Sequence, residues 1–246
     1  MLNSQAKEEA SQLSKAPLTL FQNQILSGLT SEFLQELIRL AHANAAPMTN
    51  LTPALAAKVE GNRSAFYNCA FKGVQDTLCD HSGLHYYNNC YIQGAIDFIF
   101  GDAQSIYEKC AINFTTGIGG PKRDGVITAQ SRGSIDSTTG FVFKECTITG
   151  INGKTQLGRA YGYYSRVIIA NSFLSDVVRP EGWSTWKKPE KNLVYVEVNN
   201  TGPGANNPNR VKWMKTLSKD ELKSFLDISY VDIDGWIAKQ RKANNF

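Results

Sequence analysis

Phe66-Tyr67-Asn68-Cys69-Ala70-Phe71-Lys72-Gly73 and Tyr87-Asn88-Asn89-Cys90-Tyr91-Ile92-Gln93-Gly94 are two copies of one pattern. An aromatic residue stands three places before each cysteine, and an apolar residue stands two places after it. The pattern returns in Tyr107-Glu108-Lys109-Cys110-Ala111-Ile112-Asn113-Phe114 and in Phe143-Lys144-Glu145-Cys146-Thr147-Ile148-Thr149-Gly150. A fifth copy, Ile168-Ile169-Ala170-Asn171-Ser172-Phe173-Leu174, carries serine at the cysteine position. The first three cysteines follow one another at 21 and 20 residues (69 to 90 to 110). A strand-forming repeat of that length, on a chain of 246 residues, predicts stacked coils in one elongated unit rather than two domains. Alternate residues share one face of a strand, so the cysteines and the apolar residues that follow them form internal ladders. Cys69, Cys90, Cys110 and Cys146 are therefore expected to be small buried hydrophobes, with Cys79 outside the ladder. Five cysteines without a C-x-x-C pair offer no metal site and little about redox compartment.

The repeat also aligns two acids. Asp76 and Asp97 each come seven residues after their copy's cysteine, in Gln75-Asp76-Thr77 and Ile96-Asp97-Phe98. Equivalent positions on neighbouring coils lie roughly 4.8 Å apart. Carboxylates that close do not readily both ionise, so one pKa rises while the other stays low. That separates an acid from an ionised nucleophile or base. Stacked acids with no catalytic or binding use would simply destabilise the fold. His42, His81 and His85 show no triad or metal spacing and are read as structural.

Composition sets the remaining limits. Hydrophobic content of 42% supports a continuous core, and no apolar run is long enough to span a bilayer. A net charge of +4 suits an acidic polymer, but no basic run with interleaved aromatics points to nucleic acid. Residues 1–50 differ in character from 51–246 and divide the chain into an atypical N-terminal segment and the repeat unit. Phe33, Leu34, Leu37 and Ile38 recur at helical period, which predicts a helix over about Thr30 to Ala43. Lys7, Glu8 and Glu9 do not suit a secretory leader. Four N-glycosylation sequons begin at Asn50, Asn62, Asn113 and Asn199. Near the other end, Ser218-Lys219-Asp220-Glu221 is a capping-box pattern, and Leu222, Phe225 and Leu226 would pack the helix it starts onto the coils.

Several short blocks in order resemble one family. Gly73-Val74-Gln75-Asp76-Thr77-Leu78, Asp97-Phe98-Ile99-Phe100-Gly101, Leu157-Gly158-Arg159 and Glu181-Gly182-Trp183 look like signature blocks of the plant-type pectin methylesterases. Gly202-Pro203-Gly204-Ala205, followed by Arg210-Val211-Lys212-Trp213, resembles that family's tail. The likeness runs from about Ala54 to Trp236. It implies an all-β fold, a right-handed parallel β-helix with short flanking helices at both ends. It also implies a secreted, cell-wall enzyme that removes methyl esters from homogalacturonan, without metal or organic cofactor. By motif position Asp97 corresponds to the nucleophile, Asp76 to the general acid/base, Arg159 to the nucleophile's partner and Gln75 to one of two oxyanion glutamines. Phe100, Tyr161 and Trp183 fall at sugar-cleft positions. The implied partners are pectin and a proteinaceous pectinesterase inhibitor, and the implied state is a monomer.

This chain departs from the pattern in places. Pro53, in Pro53-Ala54-Leu55-Ala56-Ala57, stands where the second oxyanion glutamine is usual, and proline offers neither a side-chain donor nor a backbone N–H. Cys79 replaces a common cleft tyrosine, and Tyr161 a common tryptophan. The family's upstream coils, with a Gly-x-Tyr-x-Glu block, are not recognised in residues 1–50. The expectation is thus a truncated, weakly active or inactive esterase that still binds pectin. Two carboxyls about 5–5.5 Å apart also suit a retaining glycosidase, which stays open as the other enzymatic reading.

Overall fold

The computed structural model describes residues 53–117 and 122–243. The helix expected at Thr30 to Ala43, the segment 1–50 and His42 lie outside those residues. Among the described residues, strands run in three parallel sheets and follow one another around the coil. The first sheet stacks Ala57–Val59, Leu78–Asp80, Ile96–Gly101, Gly125–Gln130, Thr155–Arg159 and Trp183–Ser184. The second stacks Arg63–Tyr67, Leu84–Asn88, Gln104–Glu108, Gly140–Lys144, Arg166–Ala170 and Val194–Val198. The third stacks Ala70–Lys72, Tyr91–Gly94, Ala111–Phe114, Thr147–Gly150 and Phe173–Leu174. This is the parallel β-helix that the repeat implied.

The repeat residues become rows inside the coil. Phe66 stacks on Tyr87, Tyr87 on Tyr107 and Tyr107 on Phe143, with centroids 5.0, 4.6 and 4.5 Å apart and rings nearly parallel. Cys90, Cys110 and Cys146 are buried beside them, while Cys69 in the first coil is only partly covered. The cysteine position has a reason beyond size. The residue before it adopts the left-handed conformation in every copy, with φ of 55, 54, 56, 56 and 52° at Asn68, Asn89, Lys109, Glu145 and Asn171. That kink takes the next N–H out of the strand ladder. The atom at the same position one coil further on accepts it: Cys90 N–H reaches Cys110 Sγ at 3.4 Å, Cys146 N–H reaches Ser172 Oγ at 2.9 Å, and Ser172 N–H reaches Asn200 Oδ1 at 2.9 Å. Cysteine, serine and asparagine share one property here, a compact acceptor that satisfies a buried donor.

A polar group crosses the same interior. Asp80 is fully buried and accepts from Tyr87 Oη at 2.9 Å, Ser105 Oγ at 2.5 Å and Tyr107 Oη at 2.7 Å. His85 Nδ1 lies 2.5 Å from its carboxylate, and His85 Nε2 lies 2.6 Å from the Gly61 carbonyl. Two acceptors facing both ring nitrogens call for the imidazolium. Its charge and the hydroxyl donors hold the Asp80 carboxyl below its ordinary range against the opposing effect of burial, and the carboxylate raises the His85 pKa. His85 is therefore structural.

The C-terminal segment straps the outside of the second sheet. Ser218 caps the helix Lys219–Leu226 in the expected capping box with Glu221. Leu222, Phe225 and Leu226, with Val231, Trp236 and Ile237, pack on the outward row Tyr86, Ile106, Val142, Ile168 and Val196. The strap reaches the first coil, where Asp234 pairs with Arg63 at 2.8 Å and Gln240 Nε2 donates to the Arg63 carbonyl at 3.2 Å. No helix among the described residues is long and apolar enough to cross a membrane.

Lysine suits the left-handed turn worse than asparagine, and among the described residues the Lys109 ammonium pairs only with an exposed glutamate, Glu145, at 3.8 Å. Lys109→Asn should raise stability by about 0.5–1 kcal/mol, since left-handed backbone costs other L-residues about 1–2 kcal/mol and an exposed ion pair is worth little. Urea unfolding checks this, and a lower midpoint would contradict it.

Candidate active site

Both acids sit on the first sheet, Asp76 in the turn before the strand Leu78–Asp80 and Asp97 near the start of the strand Ile96–Gly101. Gln75 pairs in parallel with Ile96, and Leu78 with Ile99. A common offset of 21 residues (75 to 96, 78 to 99) therefore puts Asp76 directly against Asp97, and the Asp76 N–H donates to the Ile96 carbonyl at 3.0 Å. Each acid is left-handed, with φ of 58° at Asp76 and 47° at Asp97. Aspartate tolerates this region better than most residues. The entry turn needs small residues as well. A Cβ on Gly73 would lie 2.6 Å from Thr77 Oγ1, and one on Gly94 would lie 2.2 Å from Phe98 Cβ.

Above Asp97 the register slips. Val126 faces Ile96, but Thr128 faces Ile99, so Asp97 and Phe98 together oppose the single residue Ile127. Such a bulge turns a side chain away from the regular row. Here it accompanies the contact of Asp97 with Arg159, which comes from the second strand above. The contact is bidentate: Arg159 Nε donates to Asp97 Oδ1 at 2.8 Å, and Arg159 Nη2 to Asp97 Oδ2. The Asp97 carboxylate is nearly buried, with 11% of its side chain exposed. A guanidinium fork is the strong form of such a pair. Trp186 covers Arg159 from the other side, its ring centroid 3.9 Å from the guanidinium carbon.

Among the described residues, Asp76 has no such partner in contact. Burial first, then the nearby Asp97 charge, push its pKa up to about 6, while Arg159 opposes the rise. The two neighbours thus differ: one carboxyl is clamped by arginine, and the other keeps its proton to higher pH. An anion, a proton donor and an amide beside them are the elements of nucleophilic acyl transfer. Gln75 supplies the amide and is partly exposed next to Asp76. Among the described residues no cluster of His, Cys, Asp and Glu suits a metal ion.

The cleft residues divide. Phe100 is partly exposed and falls in the row Cys79, Phe100, Ala129, Arg159, since Cys79 pairs with Phe100 and Phe100 with Ala129. Tyr161 is 58% exposed, with its ring 5.5 Å from that of Trp186. Trp183 does not line the cleft. It is 1% exposed, meets the Tyr195 ring at a tilt with centroids 4.6 Å apart and donates its indole N–H to Glu197 at 2.8 Å, because it enters the strand pairing at Gly158 and points into the coil. Trp186, three residues later and 41% exposed, holds the outward place instead. Sequence reasoning missed it, although a second tryptophan beside the Glu181-Gly182-Trp183 block was visible. Pro53 is exposed, and Ala54 N–H donates to the Gln75 carbonyl at 3.2 Å, so Pro53 sits beside the Gln75 turn with no donor to offer.

The charge arrangement has a measurable consequence. Asp97→Asn removes the like charge, so the Asp76 pKa should fall below about 6. Arg159→Gln removes the cation and should raise it above that value. Carboxyl carbon NMR titrations report both, and an Asp76 midpoint unmoved by either change would contradict the described coupling.

Comparison with known proteins gives a consistent result. A family model described as Pectinesterase matches residues 9–234, starting within the segment that the sequence set apart. Probable pectinesterase 55 of Arabidopsis thaliana is 47% identical over 187 residues, covering 75% of this chain and 56% of that protein. Probable pectinesterase 29 of the same plant is 47% identical over 188 residues, covering 76% and 56%. The chain thus spans about half the length of the curated relatives it matches. Among solved structures, a pectin methylesterase from carrot superposes with a TM-score of 0.70 at 32% identity, over 76% of this chain and 62% of that one.

Proposed function

The chain belongs to the pectinesterase family, and from that premise we propose that it hydrolyses the methyl esters of homogalacturonan to free carboxylates and methanol. The observation that carries this reading is the unlike pair of acids: Asp97 clamped by Arg159, next to Asp76 with its pKa raised to about 6. Residues 51–246 are the catalytic unit in this reading.

Each group then has one task. Asp97 attacks the ester carbonyl carbon, and the oxygen of that carbonyl takes up negative charge. The Gln75 amide donates to it. Preorganised donors of this kind are each worth about 10²–10³ in rate. As the tetrahedral centre collapses, the carbon–oxygen bond to the methoxy group breaks and Asp76 supplies the proton that makes it methanol. The galacturonyl group is left as an anhydride on Asp97. Asp76, now ionised, takes a proton from water, and the hydroxide equivalent cleaves the anhydride to return both acids to their starting states. Arg159 pairs with Asp97 and orients it, and Trp186 fixes Arg159. Phe100, Tyr161 and Trp186 offer apolar faces to sugar rings. In this reading the protein acts in the cell wall after secretion, as a monomer open to a proteinaceous inhibitor.

Asp97→Asn keeps the shape of the side chain and removes the anion. Methanol release should fall to background while the circular dichroism spectrum stays unchanged. Reducing-sugar release without methanol would instead favour a glycosidase. Pro53 is the specific feature that argues for a slow enzyme, because the place beside Gln75 lacks a second donor. Pro53→Gln should raise kcat by about 10- to 100-fold, part of the value of one oxyanion donor. An unchanged kcat would mean that the position does not touch the reacting oxygen.

A further inference from the structure

The outer face of the third sheet lies on another side of the coil from Asp76 and Asp97 and has no task in the chemistry above. Strand pairing sets Tyr91, Ala111, Thr147 and Phe173 in one outward row along the coil axis. Two rings thus stand three strand spacings apart, roughly 14 Å, with a floor of two small, exposed residues between them. Both rings are held down. Tyr91 Oη donates to Gln93 Oε1 at 2.8 Å and accepts from Asn113 Nδ2 at 2.7 Å, so the half-buried ring is tied across the next outward row. Phe173, 42% exposed, lies against Gly202: a Cβ there would be 2.8 Å from its ring, and a φ of 93° also calls for glycine. Exposed amides border the row on the side of the left-handed turns, at Asn68, Asn89, Asn171 and Asn199. Glu145, an exposed acid on that border, lies 3.8 Å from the Lys109 ammonium. The Lys72 ammonium lies 5.6 Å from the Tyr91 centroid, and among the described residues it has no carboxylate in ion-pairing contact. Among the described residues the C-terminal strap packs on the second sheet, and Ala111, Thr147 and Phe173 stay exposed.

Aromatic faces take the C–H face of a pyranose ring, and amides and hydroxyls beside them take its hydroxyl groups. Rings already held in place lose little freedom on binding. An extended chain of pyranoses advances by about one strand spacing per unit, so a chain along the axis sets one sugar against each coil. The unpaired ammonium favours a chain that carries carboxylates. We propose that this face is a second, non-catalytic binding site for a polyuronate, the acidic stretch of galacturonan that de-esterification leaves. The identity of the polymer rests on the esterase reading, and the site itself does not. Its consequence is retention: the protein stays on acidic polymer through the third sheet while the first sheet works on an ester elsewhere.

Ala111→Glu fills the floor with a like charge at an exposed position and leaves both rings in place, and Lys72→Met removes the ammonium alone. Electrophoresis through gels containing polygalacturonate reads retention without turnover. Lys72→Met should weaken retention about 5-fold, the upper end for an exposed ion pair. Ala111→Glu should weaken it about 10-fold or more, since a like charge set against the polymer costs more. Added salt should erase the difference between the parent and Lys72→Met. In NMR spectra of isotope-labelled protein, a de-esterified oligogalacturonide should shift the backbone amides of Tyr91, Ala111 and Phe173, and Ala111→Glu should abolish those shifts. Methanol release from a short methyl-esterified oligomer should keep the parent kcat and KM in both variants, with melting temperatures unchanged. Equal retention of parent and Ala111→Glu, oligogalacturonide shifts confined to the first sheet, or equal retention in gels of a neutral galactan would overturn the proposal. Retention that depends on Lys72 and Ala111 in a chain releasing no methanol would uphold it and count against the esterase reading alone.

Discussion

The site depends on one register. Main-chain hydrogen bonds hold Gln75 against Ile96 and Leu78 against Ile99, and this places two carboxyls at one height of the coil, one strand spacing apart. A slip by one residue would turn one acid into the core and the other out. The register is itself fixed by rows that tolerate no slip: the stacked rings Phe66, Tyr87, Tyr107 and Phe143, and the cysteine, serine and asparagine acceptors one coil beyond each left-handed turn. The Asp80 network adds hydroxyl donors from two coils and an imidazolium that reaches a third. A solenoid built this way gains stability from each neighbour contact, and the catalytic geometry uses the same contacts.

The surroundings of the two acids break the symmetry between the repeats. The break lies above Asp97, where the bulge opposite Ile127 and the arginine from two strands away have no counterpart at Asp76. Trp186 caps the arginine from a left-handed turn. A later strand of the first sheet and the turn after Trp183–Ser184 therefore hold the arginine and the tryptophan that distinguish one acid from the other.

Much of this was legible in the sequence because a solenoid converts spacing into contact. A seven-residue offset from two ladder cysteines was enough to bring Asp76 and Asp97 together, and the Ser218 capping box correctly marked the last helix onset. The aromatic wall was less legible. Trp183 and Trp186 are three residues apart in a short strand followed by a tight turn, and which one points outward is decided by the pairing of Trp183 with Gly158 and by the left-handed Trp186, neither of which leaves a periodic signal. The Asp80–His85 pair was equally hidden, since its partners come from separate coils and only the folded interior brings them together.

Trapping the acyl group on Asp97 tests the central claim most directly. Hydroxylamine added during turnover competes with water for an anhydride, so the account predicts a hydroxamate on galacturonate or on the Asp97 peptide, detected by mass spectrometry. Its yield should rise with hydroxylamine concentration, and methanol release should not slow. Methanol release that continues with no hydroxamate above the enzyme-free control would contradict a covalent intermediate on Asp97 and would leave the paired acids a different task.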